Sequence, residues 1–422
     1  MSRHRIKIGI LLIFALYMNP IIIGGLETIC YLLVYGSALV YLLLHSKYIF
    51  NRYLCRINLH AAIPLAWVFI ALSLSFIVPV LHGTDDYSYI NVILGVFRKA
   101  IILTFLFLII SKRSEPGAVT ETFMYYYSLS SVLYVLSSVI LTLSPGLRNI
   151  WQNLLRLSNT TLNLLKSYGY TNRFGWAGFS GFRNTIDCTL SLIFLVYLFA
   201  SEKSKLNIKT PLLALLTSIC FLGNMFYGRS GVVASGICLV IGLTLYRKIK
   251  PRVLLTIAGN VLVGVFLLNV LRTRIPAIND WYLWISKPFY SFFTTGSFNN
   301  YSANRLFNEM IFMPSSKTVL FGDGRYVDAS AGTYYMRTDS GFMRQILFWG
   351  IGGTLLTYIC WLHSLVVIKR DWILKIMLLV MCILFEIKGE LYYEMIPLFV
   401  IVAMIDYRVL QSDKTTRVIA HK

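Results

Sequence analysis

The chain has 422 residues, of which 57% are hydrophobic and only 14% charged, and its mean hydropathy is +0.68. Soluble domains carry nearer about a quarter charged residues, so this balance excludes an ordinary soluble protein and a disordered one. The net charge of +21 would suit nucleic acid or an anionic surface, but in a membrane chain a basic excess is first accounted for by cytoplasmic loops, and no nucleic-acid partner is expected.

Apolar runs of the roughly 20 residues needed to cross a bilayer recur along the whole chain. The N-terminus sets basic residues before an apolar stretch, as a signal peptide does, yet no small-residue cleavage site precedes Leu26, so it reads as a retained first helix. In order, helices are expected near 8–24, 26–45, 61–81, 88–111, 122–143, 185–200, 211–227, 231–246, 253–271, 341–368, 373–388 and 391–407. The expected fold is thus an all-α integral membrane protein of about twelve helices, with 1–422 as a single polytopic membrane domain. The cysteines, mostly within these runs and without CxxC spacing, read as small buried hydrophobes.

Orientation follows from the short connections. With the N-terminus inside, the inside segments hold Arg3, Arg5 and Lys7; Lys47, Arg52 and Arg56; Lys112 and Arg113; Lys203, Lys205 and Lys209; Arg247, Lys248, Lys250 and Arg252; Lys369 and Arg370; and the tail with Arg408, Lys414, Arg417 and Lys422. Every short inside connection is basic, as the positive-inside rule asks, so both termini are expected in the cytoplasm.

Two long outside segments remain, 144–184 and 272–340. Long loops translocate largely regardless of charge, so topology does not account for Arg148, Arg156, Arg173 and Arg183 in the first, or Arg272, Arg274, Arg305, Arg325 and Arg337 in the second, with Arg344 just inside the next helix. Solvated surface and anion binding both stand as readings. The first loop opens Ser144-Pro145-Gly146 and continues with Trp151, Leu154, Leu155, Leu162 and Leu165, a pattern suited to a helix lying in the interface. The second carries Trp281, Tyr282, Trp284, Phe289, Tyr290, Phe292 and Phe293, either an interfacial aromatic belt or a platform for sugar rings or a lipid tail.

Some polar groups sit where they are expensive. Arg98 and Lys99 fall within the fourth apolar run. There they face a cavity or partner, unless the helix starts later and they snorkel to its outer end. Arg229 stands in Tyr227-Gly228-Arg229-Ser230-Gly231, at the outer junction of two helices. A guanidinium there pairs bidentately with phosphate oxygens and keeps its charge. Asp339, in Thr338-Asp339-Ser340-Gly341, reads either as a general base or as a helix cap, and Asp85-Asp86 is a rival pair. There is no P-loop, HExxH or glycine-rich dinucleotide fingerprint, and none of the histidines lies in the two long loops. Neither a metal nor a cofactor is expected.

The segment Tyr227-Gly228-Arg229-Ser230-Gly231-Val232-Val233 resembles a motif of the O-antigen polymerase and ligase superfamily. Asn304-Arg305-Leu306-Phe307, Leu320-Phe321-Gly322-Asp323-Gly324, Thr338-Asp339-Ser340-Gly341-Phe342 and Gly350-Ile351-Gly352-Gly353 follow in the superfamily's order. Arg173-Phe174-Gly175 through Arg183-Asn184 resembles its first-loop stretch, although Arg183 stands where a proline is usual. No histidine stands at or near Asp339, which favours the polymerase (Wzy) branch over the ligase branch. The resemblance implies a GT-C-type fold and an inverting, metal-independent glycosyltransferase at the periplasmic face of the bacterial inner membrane. Its partners would be undecaprenyl-diphosphate-linked oligosaccharides, membrane lipids, and the chain-length regulator and flippase of the same pathway. It implies catalytic roles for Asp339, Arg229 and Arg305, and diphosphate or substrate binding for Arg98, Lys99, Arg173, Arg183, Arg325, Arg337 and Arg344. A ligase, and a transporter or flippase for lipid-linked sugars, are the alternatives.

Overall fold

The computed structural model describes residues 7–52, 59–115, 118–157, 173–179, 182–200, 206, 208–246, 251–296, 304–328, 333–367, 371–391, 394–395 and 397–399. Among them, seven helices are long and apolar enough to cross a membrane: Glu27–Leu44, Ser88–Ser111, Val119–Leu143, Phe182–Ala200, Thr210–Tyr227, Arg252–Arg272 and Gly341–Val366. Ile8–Met18, Ala66–His82 and Arg229–Leu245 are shorter apolar helices. The chain is therefore an all-α membrane protein, its described strands confined to two two-residue hairpins, Phe174–Gly175 with Gly178–Phe179 and Val327–Asp328 with Thr333–Tyr334. The Pro251–Arg272 helix illustrates the membrane solvent. It leaves Leu255, Leu262 and Phe266 exposed on one side, a surface that lipid tails satisfy and water does not.

Most expected spans are reproduced within a few residues. The first is shorter than expected and stops at Met18, not 24, because Pro20 lacks an N–H and holds Asn19 out of the helical region. Of the expected 391–407 span, 392, 393, 396 and 400–407 lie outside the described residues. The two long segments expected outside hold more regular structure than the sequence suggests. Segment 144–184 contains the Pro145–Leu154 helix and the first residues of Phe182–Ala200, so Arg183 is helical. The short helix is amphipathic: Leu147, Ile150 and Leu154 are exposed on one face, while Trp151 packs with Leu141, Leu155 and Phe174 on the other. Leu162 and Leu165 lie outside the described residues. Segment 272–340 contains the twenty-residue Pro276–Thr295 helix. Pro276 at its first position is preset for a helix, and Ile278, Trp281 and Ile285 form its buried stripe.

The contacts divide into two compact units. One comprises Met1–Leu39, Leu108–Phe298 and Asp371–Met381. Its centre is the Phe182–Ala200 helix, packed by Val119–Leu143, Thr210–Tyr227 and Arg229–Leu245. Lipid gives helices no hydrophobic reason to associate, so close packing and interhelical hydrogen bonds take over. Tyr127 donates to Asp187 Oδ1 at 2.5 Å, Ser191 to Ser131 at 2.8 Å, and Asn224 Nδ2 to Thr189 and Ser235 at 3.1 and 2.5 Å.

The other unit comprises Val40–Phe107, Asn299–Arg370 and Cys382–Lys422. Its Gly341–Val367 helix packs against Leu59–His82 and the short Ser316–Phe321 helix. Gly350 interrupts that long helix with φ 70°, facing Gly322 at φ 72°. A Cβ on Gly322 would lie 2.5 Å from the Phe348 carbonyl oxygen, and one on Gly350 would lie 2.4 Å from that of Leu320. Only glycine permits both the left-handed backbone and this approach.

Candidate functional site

In the first unit, three of the singled-out arginines are placed by local structure. Gly228 and Gly231 bracket Arg229, the first residue of the Arg229–Leu245 helix. A Cβ on Gly231 would fall 2.2 Å from Thr185 Cγ2 and 2.3 Å from Asn224 Oδ1, so the glycine lets this helix start lie against its neighbours. Arg229 reaches the Pro276–Thr295 helix, donating from Nη2 to the Trp284 carbonyl at 2.6 Å. Its Cζ lies 4.3 Å from the centroid of the Trp284 ring. Arg173 approaches the same indole at 5.2 Å. Arg173 is carried there by the Phe174–Phe179 hairpin, which is pressed onto Tyr134: a Cβ on Gly175 would overlap that ring at 2.4 Å, and Tyr134 donates to the Gly178 carbonyl at 3.1 Å. Trp176 Nε1 anchors the hairpin to the Asn19 carbonyl at 2.9 Å.

Arg183 is not brought to Trp284. It donates to the Met18 carbonyl at 2.7 Å and lies 3.8 Å from Asp187, one turn on in its own helix. The aromatic cluster also divides. Trp281 is core, stacked on Phe226 with centroids 4.4 Å apart, and Tyr290 and Phe293 are exposed.

In the second unit the polar groups gather at the start of the Gly341–Val367 helix. Asp339 stands just before it and reaches the surface. Desolvation by its surroundings still pushes its carboxyl above the usual carboxylate range, while Arg305 and then Lys388 draw it back. Arg305 also forms an exposed pair with Glu309 at 3.4 Å. Just upstream of Asp339, Met336 and Arg337 both take positive φ, 54° and 53°. Bulky residues hold that conformation only where the surrounding structure imposes it, and such strain concentrates at working sites. Arg325 lies 5.9 Å from the Tyr335 ring centroid.

Arg344 is buried, with Nη2 3.2 Å from Glu390 Oε2 and its guanidinium between two rings, Tyr334 at 3.7 Å and Tyr326 at 4.4 Å. Glu390 further accepts from Tyr326, Gln345 and Tyr89. Burial raises the Glu390 carboxyl, with Arg344 the main opposing influence. Arg344 is thus neutralised by a protein carboxylate, and the role implied for it, binding a diphosphate directly, does not fit this placement. Lys99 is likewise committed, to Glu394, and Arg98 bonds its own helix at the Leu94 carbonyl at 3.5 Å. Both lie well inside the Ser88–Ser111 helix, so the later start weighed for that helix is not what is found.

The rival carboxylates have structural work. Asp86 Oδ2 accepts from the Tyr326 and Val327 amides at 2.6 and 2.8 Å, and Oδ1 accepts from Ser88 at the helix start at 3.0 Å. Asp323 accepts from Thr318 Oγ1 at 2.8 Å. Asp86 therefore staples a loop to the start of the Ser88–Ser111 helix. Sequence reasoning passed over Lys388, the last residue of Trp372–Lys388, and Glu390 in the turn that follows. The signal for them was Lys388-Gly389-Glu390 between two apolar runs, a charged turn outside both long loops.

No protein-family model, no curated protein and no solved structure matches the chain.

Proposed function

We propose that the chain is an O-antigen polymerase: a GT-C-type membrane protein of about twelve helices in the bacterial inner membrane. Both termini would be cytoplasmic, and segments 144–184 and 272–340 periplasmic. The observation that supports this reading best is a carboxylate, Asp339, at a helix start and within the electrostatic reach of two cations, Arg305 and Lys388. Transfer of a glycan from undecaprenyl diphosphate needs that pairing of groups. The acceptor sugar hydroxyl attacks the anomeric carbon and a glycosidic C–O bond forms. The anomeric C–O bond to the diphosphate breaks, the hydroxyl proton passes to Asp339, and the diphosphate departs with the bonding pair.

A positioned base contributes about 10²–10⁴-fold. Cations aimed at the departing oxygens stabilise charge that develops only in the transition state. Arg305 serves that role, with Arg337 two residues before Asp339 and Arg325 earlier in the same segment; a diphosphate role for Arg229 and Arg173 rests on the resemblance of their motifs. The ordered motifs from Tyr227-Gly228-Arg229 to Gly350-Ile351-Gly352-Gly353 point the same way.

The test is reaction of the purified full-length protein with one lipid-linked repeat unit. A ladder of lengthened glycans on undecaprenyl diphosphate is expected. Transfer only onto a different acceptor would replace the reading with a ligase. Movement of the lipid-linked unit across a vesicle membrane, with no new glycosidic bond, would replace it with a transporter.

A further inference from the structure

Lys388 ends the Trp372–Lys388 helix, and the turn that follows is fixed from several sides. Glu386 Oε2 accepts from the Leu391 amide at 2.7 Å, and its Oε1 accepts from Tyr358 at 3.0 Å. Gly341 lies directly against this turn: a Cβ there would fall 2.6 Å from Glu386 Oε1 and 2.7 Å from the Gly389 carbonyl. The contact draws together the end of one apolar helix and the start of another. Asp339, two residues before Gly341, and Lys388, immediately before Gly389, are thereby brought to one corner.

The charged and titratable groups around Asp339 come from each element packed there. Arg305 precedes the Leu306–Met310 turn and shares its charge with Glu309. Lys388 comes from the helix end, and Glu386 lies under Gly341. Tyr334 comes from the hairpin, its phenol pushed up by burial first and then by Glu390 and Asp339. The partial positive charge of the Gly341–Val367 helix start favours an anion at the same place.

We infer that Lys388 is a positioning cation for Asp339, acting alongside Arg305 from the same corner to hold its carboxylate as the base. This rests on the polymerase reading above. Lys388 acts through Asp339 and does not touch substrate.

The test measures kcat and KM from about pH 4 to 9 for purified full-length protein and its Lys388→Ala and Lys388→Arg variants, using one lipid-linked repeat unit. Removing a neighbouring cation makes a carboxylate harder to ionise. Lys388→Ala is therefore expected to move the acid limb of kcat upward by roughly one pH unit, with KM little changed, and Lys388→Arg is expected to return the limb to its original place. Should Lys388→Ala fail to fold, Lys388→Gln carries the same expectation. An unmoved acid limb in a folded, active variant overturns the inference and leaves the polymerase reading intact. So does a raised KM with the limb in place, which would make Lys388 a direct substrate contact. A wild-type protein inactive at every pH removes the polymerase reading, and this inference with it.

Discussion

Arg229 Nη2 donates to the Trp284 carbonyl at 2.6 Å, an acceptor inside the Pro276–Thr295 helix that the residue four positions on cannot serve. Four residues on stands Pro288, which has no N–H to return. The guanidinium fills the vacated position and stacks on the same residue's ring. The arginine at the heart of the glycine-flanked motif thus has a structural role whatever else it does.

That role is separable from catalysis. Arg229→Ala removes a charge-assisted hydrogen bond and a cation–π contact, together about 2–4 kcal/mol. Pro288→Ala restores an amide to the Trp284 carbonyl. The double variant is therefore expected to unfold later in detergent than Arg229→Ala alone. If Arg229 also holds the diphosphate, polymer formation stays lost in the double variant. Simple additivity of the two effects would show that Trp284 is not where they meet.

How far the sequence revealed this site depends on the element. Spans such as Ser88–Ser111 were plain because apolar length is a one-dimensional property. Pro276–Thr295 was hidden, because its aromatics read equally as a belt and as a platform, and only packing divides Trp281 in the core from Phe293 in the open. Asp339 and Arg305 are singled out by short motifs. Lys388 and Glu390 are not, because a three-residue turn carries no periodicity and its value lies in Gly341, distant in sequence, packing against it. Asp86 shows the converse: two adjacent acids look like surface, and one proves to bind two backbone amides.

The facing glycines carry a stability prediction. Gly322→Ala and Gly350→Ala each force a Cβ into backbone atoms about 2.5 Å away or nearer, and each also strains a positive φ. Roughly 1–3 kcal/mol is expected from the backbone conformation alone, with the overlap adding to it. Thermal unfolding of the purified variants checks this. A melting point within a degree of wild type for either would mean the Ser316–Phe321 corner yields freely. An alanine at Gly352, where no atom stands within 4 Å of the added carbon, serves as the tolerant control.

The Arg344–Glu390 pair is buried on both sides, its side chains 7% and 5% exposed. Removing one partner strands the other's charge, at about 3–5 kcal/mol. Replacing both by apolar groups of similar volume costs less. Arg344→Met and Glu390→Leu are each expected to lower stability sharply, and the double variant to recover part of the loss. Equal stability of the singles and the double would show that the pair is already hydrated. Because Arg344 is neutralised within the protein, Arg344→Lys should reduce activity only as far as it reduces folded protein, unlike Arg305→Ala.

The pH dependence of the reaction follows from Asp339. Desolvation by its surroundings pushes its carboxyl above the usual carboxylate range, and Arg305 and Lys388 draw it back only in part. A base must be ionised to accept the hydroxyl proton, so activity is full above this raised pKa and is lost as pH falls through it. The acid limb is expected to lie above ~3.9, the ordinary aspartate value, and Arg305→Ala should move it further up. Stability runs the other way. A carboxyl whose folded pKa exceeds its unfolded one favours folding when protonated, and that contribution disappears as pH rises through the folded pKa. Asp339→Asn, neutral at every pH, is therefore expected to be inactive yet somewhat more stable than wild type near neutrality, and equal to it in acid. Loss of stability in Asp339→Ala but not in Asp339→Asn, with polymer formation retained in both, would make Asp339 a helix cap and return the base to another carboxylate.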